Sequence, residues 1–143
     1  SPRFAGIFDG TGNLHAARRY ARLQGGRFGY FLAGQLDLAA AMRVGAKGAV
    51  LATANAAPRE FVAMYEAVGR EDLAEAERLR KRLEPLHELF RNGPFPGTMK
   101  ACLELLGIPA GPPRRPALPV PPEVRARAAR ILERLGVRLG GRS

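Results

Sequence analysis

The feature that most constrains this chain is the rhythm of its first third. Phe4-Ala5-Gly6-Ile7-Phe8 is a short apolar run ending in a turn cluster, Asp9-Gly10-Thr11-Gly12-Asn13. Asn13 or Thr11 can cap the helix that follows, near Leu14 to Leu23. Gly25-Gly26 stops it, and Arg27 to Ala33 reads as a second strand carrying Phe28, Tyr30, Phe31 and Leu32. Gly34 breaks that strand, and Leu36 to Val44 is a helix of small and apolar residues. Gly45 ends it, and Gly48 to Ala52 is a third short strand. Strand, helix, strand, helix, strand with tight loops predicts right-handed parallel units with helices outside, an α/β class fold.

The rest changes character. Pro58 suits a helix start, and Phe61, Val62, Tyr65 and Val68 share one helical face. Glu71 to Phe90 predicts a longer helix with Leu73, Leu79, Leu83, Leu86 and Phe90 inward and Pro85 as a kink or break. Met99, Cys102, Leu103 and Leu106 form the next apolar stripe. Pro109 to Pro122 is proline-rich and extended, and Glu123 to Leu135 is a final amphipathic helix.

Composition excludes several classes. The chain has 143 residues and 46% hydrophobic residues, enough for a real core. No apolar run approaches the roughly 18 residues of a membrane span, and Ser1 to Phe8 lacks a signal-peptide pattern. One cysteine and two histidines are too few for a disulfide framework or a usual structural zinc site. The net charge of +10 invites nucleic acid, but the arginines are spread along polar helix faces without interleaved aromatics.

Taken singly, the motifs read blandly. Asp9-Gly10-Thr11-Gly12 could hold a phosphate, but it lacks the dinucleotide spacing and a P-loop lysine, so a tight turn is the expectation. His15 and His87 read as ordinary helix residues, and Cys102 as a buried structural thiol. Glu75, Glu77, Glu84 and Glu88 pair with arginines three or four positions away.

Their order says more. Ala5 to Asn13 is followed by Phe31-Leu32-Ala33-Gly34 and then by Gly45 to Asn55. Phe95 to Lys100, Leu105 to Gly111 and Arg115 to Pro119 complete the series. Over nearly its whole length the chain resembles the C-terminal half of the dihydrodipicolinate synthase and N-acetylneuraminate lyase family. The resemblance implies the last part of a (β/α)8 TIM barrel followed by a helical region. Residues 1–70 would supply strands six to eight and residues 71–143 the helices. It also implies a class I aldolase or related lyase that binds pyruvate, or another 2-oxo acid, as a Schiff base on a sixth-strand lysine. On that match Gly34 lines the pyruvate pocket, Val50 covers it, and Gly10 and Thr11 lie beside the imine. These four are the candidate substrate-binding residues, with no metal or other cofactor.

Two departures reshape this expectation. The family's strand motif reads Gly-Ile-Lys followed by an acid, whereas this chain reads Gly6-Ile7-Phe8-Asp9. A phenyl ring cannot form an imine, so no catalytic residue is assigned. Lys47 falls at the opposite barrel end, and Lys81 and Lys100 lie beyond the barrel strands. Gln35 stands where the family usually has Asp, in a loop one residue short. The resemblance also begins only at the sixth strand, in keeping with an initial Ser1 rather than Met. The first five strands would carry the Thr-Thr carboxylate motif, the catalytic tyrosine and the entrance arginine. Three strands cannot close a barrel, which leaves two edges and an apolar face open.

The expectation is therefore a cytoplasmic, catalytically impaired family member. It would form a homo-oligomer or associate with a missing N-terminal half, away from membranes and with nucleic acid disfavoured. The alternatives are an active lyase completed by a separate N-terminal half, and a basic helical interaction module.

Overall fold

The computed structural model describes residues 4–23, 28–33 and 38–140. They fall into two compact units: residues 1–51 with 61–80, and residues 52–60 with 81–143.

In the first unit, strand β1 (Gly6–Asp9), helix α1 (Leu14–Arg22), strand β2 (Gly29–Ala33), helix α2 (Leu38–Arg43) and strand β3 (Gly48–Val50) follow in order. The sheet order is β1-β2-β3 and both pairings are parallel. The expected α/β class, with three parallel strands and intervening helices, is what the chain forms. Ile7 stands opposite Tyr30 and Phe8 opposite Phe31, while Leu32 is opposite Ala49 and Ala33 opposite Val50.

Successive strand residues point to opposite faces. Tyr30 and Leu32 therefore share one face, where both are fully buried. Tyr30 stacks on Tyr20 of α1 with ring centroids 5.8 Å apart. Small buried residues, Ala17 of α1 and Ala41 of α2, allow close helix packing.

Helix α2 ends in a Schellman turn. The Gly45 N–H donates to Met42 and the Ala46 N–H to Ala41, with Gly45 at φ +103°. Its missing Cβ matters twice, because an added one would sit 3.0 Å from the Ala21 Cβ. β3 stops at Val50, short of the expected Ala52. A 3-10 turn, Ala52–Asn55, takes over, closed by Asn55 Nδ2 donating to the Ala52 carbonyl at 3.1 Å.

Helix α3 (Pro58–Gly69) starts at the expected proline, but its buried face differs from the sequence reading. Phe61, Met64 and Ala67 are buried, whereas Val62 and Tyr65 are exposed. The stripe follows i, i+3, i+6 through smaller residues, and Tyr65 turns its hydroxyl to the Lys47 carbonyl at 3.3 Å. The same Schellman hydrogen bonds close α3, with Glu71 in the left-handed position at φ 60°. Helix α4 (Leu73–Asn92) begins with Leu73 exposed, not inward.

In the second unit, α4 runs unbroken through Pro85, which lies on its exposed side. A mid-helix proline costs about 3 kcal/mol. Burial of Leu83, Leu86, Leu89 and Phe90 offsets it, at about 1.5–3 kcal/mol per side chain. Helix α5 (Gly97–Leu105) packs on helix α6 (Pro122–Arg134). Cys102 of α5 and Ala128, Ile131 and Leu132 of α6 join the core. Leu103 and Leu106 are only half-buried, because the inward face of α5 runs through Thr98, Ala101 and Cys102 instead. Arg82 of α4 donates to the Leu135 carbonyl at 2.5 Å, satisfying an orphan acceptor at the end of α6.

Candidate functional site

The sheet presents two unlike faces. Beside Tyr30 and Leu32 lies the Asp9 carboxylate, also buried. On the other face Phe8 is 60% exposed, Val50 61% and Phe31 39%. Those values decide which face is open to a ligand or partner.

Phe8 and Phe31 are directly paired across β1 and β2. The Phe31 ring lies over two glycines: added Cβ atoms on Gly29 and Gly48 would meet it at 2.9 Å and 3.5 Å. An aromatic ring thus covers backbone that glycines leave bare on its own strand and on β3. Gly10, just past β1, faces the end of β2, where an added Cβ would stand 3.9 Å from the Ala33 Cβ. Ala33 in turn is paired with Val50. Gly10, Ala33 and Val50 therefore converge where the three strands end, the usual location of ligands on parallel sheets.

The loop after β1 is fixed from within. Asp9 accepts the Thr11 N–H at 2.9 Å and the Thr11 hydroxyl at 3.1 Å. The Thr11 oxygen accepts the Asn13 N–H at 3.3 Å. Asn13 caps α1, accepting from the His15 and Ala16 N–H groups at 2.9 Å and 3.3 Å. The Asp-Gly-Thr-Gly cluster is a self-satisfied turn leading into a capped helix. Thr11 is thus placed beside the strand ends with its hydroxyl already committed to Asp9.

Of the four candidate binding residues, Gly10 follows β1 and Val50 ends β3, each beside Ala33 of the intervening β2, and Thr11 lies in the turn after β1. Gly34 and Gln35 lie outside the described residues. Phe31 was not singled out from the sequence, although alternation along Gly29, Phe31 and Ala33 carried the signal. The Asp9–Thr11 clasp was also missed; an acid two residues before a threonine at a helix start is its signature.

The open face is hydrocarbon and glycine backbone among the described residues. Tyr30 sits on the opposite, helix-covered face. Burial first, then the nearby Asp9 charge and Tyr20, push its hydroxyl above its ordinary pKa, so it stays protonated. Lys47 precedes β3, and Lys81 and Lys100 belong to the second unit. Cys102 is fully buried and desolvation pushes its thiol up to about 11, so it is no nucleophile. His15 is exposed and His87 buried. Glu75 and Glu77 pair with Arg78 and Arg80 as expected, at 2.6 Å and 2.7 Å. Glu84 also reaches Arg91 at 3.9 Å, and Glu88 reaches Arg127 of α6 at 3.6 Å. No group of three or more His, Cys, Asp or Glu suited to a metal occurs among the described residues. No helix among them is long and apolar enough to cross a membrane.

A family model described as the dihydrodipicolinate synthetase family matches residues 1–135. The chain belongs to that family. It is 28% identical over 136 residues to the 4-hydroxy-tetrahydrodipicolinate synthase of Halorhodospira halophila, covering 95% of this chain and 45% of the relative. It is 32% identical over 133 residues to the enzyme of the same name from Methanopyrus kandleri, covering 92% and 44%. The crystal structure of dihydrodipicolinate synthase from Aquifex aeolicus superposes with a TM-score of 0.87 at 20% identity, over 98% of this chain and 48% of that one. That last likeness shows the fold, part of a TIM barrel. The chain spans less than half the length of these relatives. Within the dihydrodipicolinate synthetase family, then, this sequence places the aromatic Phe8 on the strand where the resemblance implies an imine-forming lysine.

Proposed function

We propose that this chain is the C-terminal half-barrel of a dihydrodipicolinate synthase-like lyase that does not form a Schiff base. One observation carries the reading: Phe8 stands on β1, paired with Phe31, on a face that offers no amine among the described residues. A class I aldolase needs an amine within bonding reach of the keto carbon. Two phenyl rings in register supply only apolar surface. Gly10, Thr11, Val50 and Gly34 would then shape a pocket for a 2-oxo acid, or a related small molecule, without activating it. The test is reductive trapping. The full chain incubated with pyruvate and borohydride should show no covalent adduct by mass spectrometry. An adduct on any lysine overturns the reading.

The open sheet supports a second reading. Among the described residues β1 and β3 each have one unpaired edge in this three-stranded sheet, and the relatives are about twice as long. A half-barrel bearing the remaining parallel strands would pair with both edges and cover Phe8, Phe31 and Val50. Unpaired strand edges and exposed aromatics otherwise favour self-association. An active lyase on this reading would draw its base from the added half. Co-expression with the N-terminal half of a relative should yield a co-purifying complex. Turnover of a 2-oxo acid by that complex would favour this reading over the first, and a soluble, monomeric lone chain would count against it.

A further inference from the structure

We infer that the second unit carries a binding site for a small carboxylate anion, in a cleft between α5 and the proline-rich segment that follows it. The cleft has a volume of about 110 Å3. One wall is a single face of α5: Gly97, Lys100, Ala101 and Glu104. These positions recur at i, i+3, i+4 and i+7, so they line up along the helix. Pro112, Pro113 and Pro119 with Val120 also line it, as does Arg125 of α6.

The charges in this cleft do not balance. Arg125 donates to Glu104 at 2.9 Å, so those two neutralise one another. Lys100 is half-buried and donates to the Ala110 carbonyl at 2.6 Å. No carboxylate pairs with it among the described residues. An ammonium has three donors, and this carbonyl takes one. The cleft therefore holds one uncompensated positive charge, partly shielded from water, with donors to spare. Such a charge gains when an anion joins it.

The walls select the anion. The proline rings offer apolar surface and no donor at all, and Val120 only its backbone N–H, which suits a short hydrocarbon body rather than a fully hydrated inorganic ion. The free volume admits only a few heavy atoms. Gly97 fixes the shape, since an added Cβ would stand 3.0 Å from the Leu118 carbonyl oxygen and 3.2 Å from Val120 Cγ1. Gly111, at φ +65° with nothing within 4 Å of an added Cβ, keeps the mouth open. A carboxylate with a short aliphatic chain thus places its head on Lys100 and its tail against the prolines. The site shares no residue with the open sheet face and does not depend on the imine question.

The test is amide NMR of the full chain titrated with sodium propionate, and separately with sodium sulfate, at constant ionic strength. Propionate should give saturable shifts at Gly97, Lys100 and Gly111 with a dissociation constant of about millimolar order, as expected for so few atoms. Lys100→Met keeps the aliphatic stem and should weaken binding about tenfold or more. Lys100→Gln serves the same purpose should the first variant fold poorly. Glu104→Gln should leave propionate binding intact or tighter, because it removes a like charge. Shifts that are non-saturable, equal for sulfate and propionate, or unchanged in both Lys100 variants overturn the proposal. A loss of binding in Glu104→Gln also overturns it, because the Glu104–Arg125 pair rather than the charge on Lys100 would then govern the site.

Discussion

The two units of this chain handle exposure in opposite ways. In the first, a three-stranded sheet buries one face under helices and leaves Phe8, Phe31 and Val50 open on the other. In the second, Leu83, Leu86, Leu89, Phe90, Cys102, Ile131 and Leu132 enclose a helical core, with Glu88–Arg127 and Glu104–Arg125 bridging elements at its surface. The difference shows that a helical bundle satisfies its own backbone and can close on a few apolar stripes. A parallel sheet fragment cannot, because its edges and inner face need further strands.

The largest expected effect tests whether both cores are equally real. Leu32→Ala in β2 and Leu132→Ala in α6 each empty a fully buried site and should each cost about 2–5 kcal/mol. Urea unfolding followed by circular dichroism reads this. A negligible loss for Leu32 alone would mean that the open sheet is not packed as described.

Next comes a pH effect confined to the second unit. Desolvation raises the Cys102 thiol from 9.0 to about 11. The unfolded chain therefore releases this proton at a lower pH than the folded one. Stability should fall as pH rises from about 9 toward 11, by up to about 3 kcal/mol. Below about pH 8 the thiol is protonated in both states and contributes almost nothing to the slope. Comparing Cys102→Ala with the parent chain isolates it, and equal alkaline slopes would show that the thiol is not desolvated.

Asp9→Ala removes the acceptor for both the Thr11 N–H and its hydroxyl. It should cost about 1–3 kcal/mol and loosen the loop beside β1. Faster amide exchange at Thr11 would register the loosening. Glu71→Gly should raise stability by about 1 kcal/mol, since glycine adopts the left-handed position without strain. Thermal unfolding checks that gain. The smallest stability change belongs to the open face. Phe8→Ser and Phe31→Ser should barely move the unfolding midpoint yet reduce self-association in light scattering, while weakening capture of an N-terminal half. A core-sized loss of stability would mean that these rings are packed within the chain itself.

Much of this was legible in the sequence. The strand and helix alternation followed from apolar runs punctuated by Gly10 and Gly45, while the breaks expected at Gly25-Gly26 and Gly34 lie outside the described residues. The inward face of α6, with Ala128, Ile131, Leu132 and Leu135, followed from helical periodicity. Elsewhere local pattern misled. Val62 and Tyr65 looked inward because they are large and apolar, but the first unit takes Met64 and Ala67 instead. Pro85 looked like a break, and burial of its neighbours overrode it. The site divided in the same way. Motif order pointed to Gly10 and Val50 as candidates, whereas Phe31 joins the open face only once the register places it beside Phe8.

By itself the sequence determined the β/α order, the basic balance and the absence of an amine at position 8, because these are properties of residue identity and near-neighbour spacing. Only the tertiary structure decided which face Phe31 presents, that Asp9 holds the Thr11 hydroxyl, and that Lys100 meets a carbonyl rather than a carboxylate. Those outcomes depend on strand register, on turn geometry and on where a proline-rich segment returns against a helix. Such contacts between distant parts of a chain are set by packing, which local periodicity does not encode.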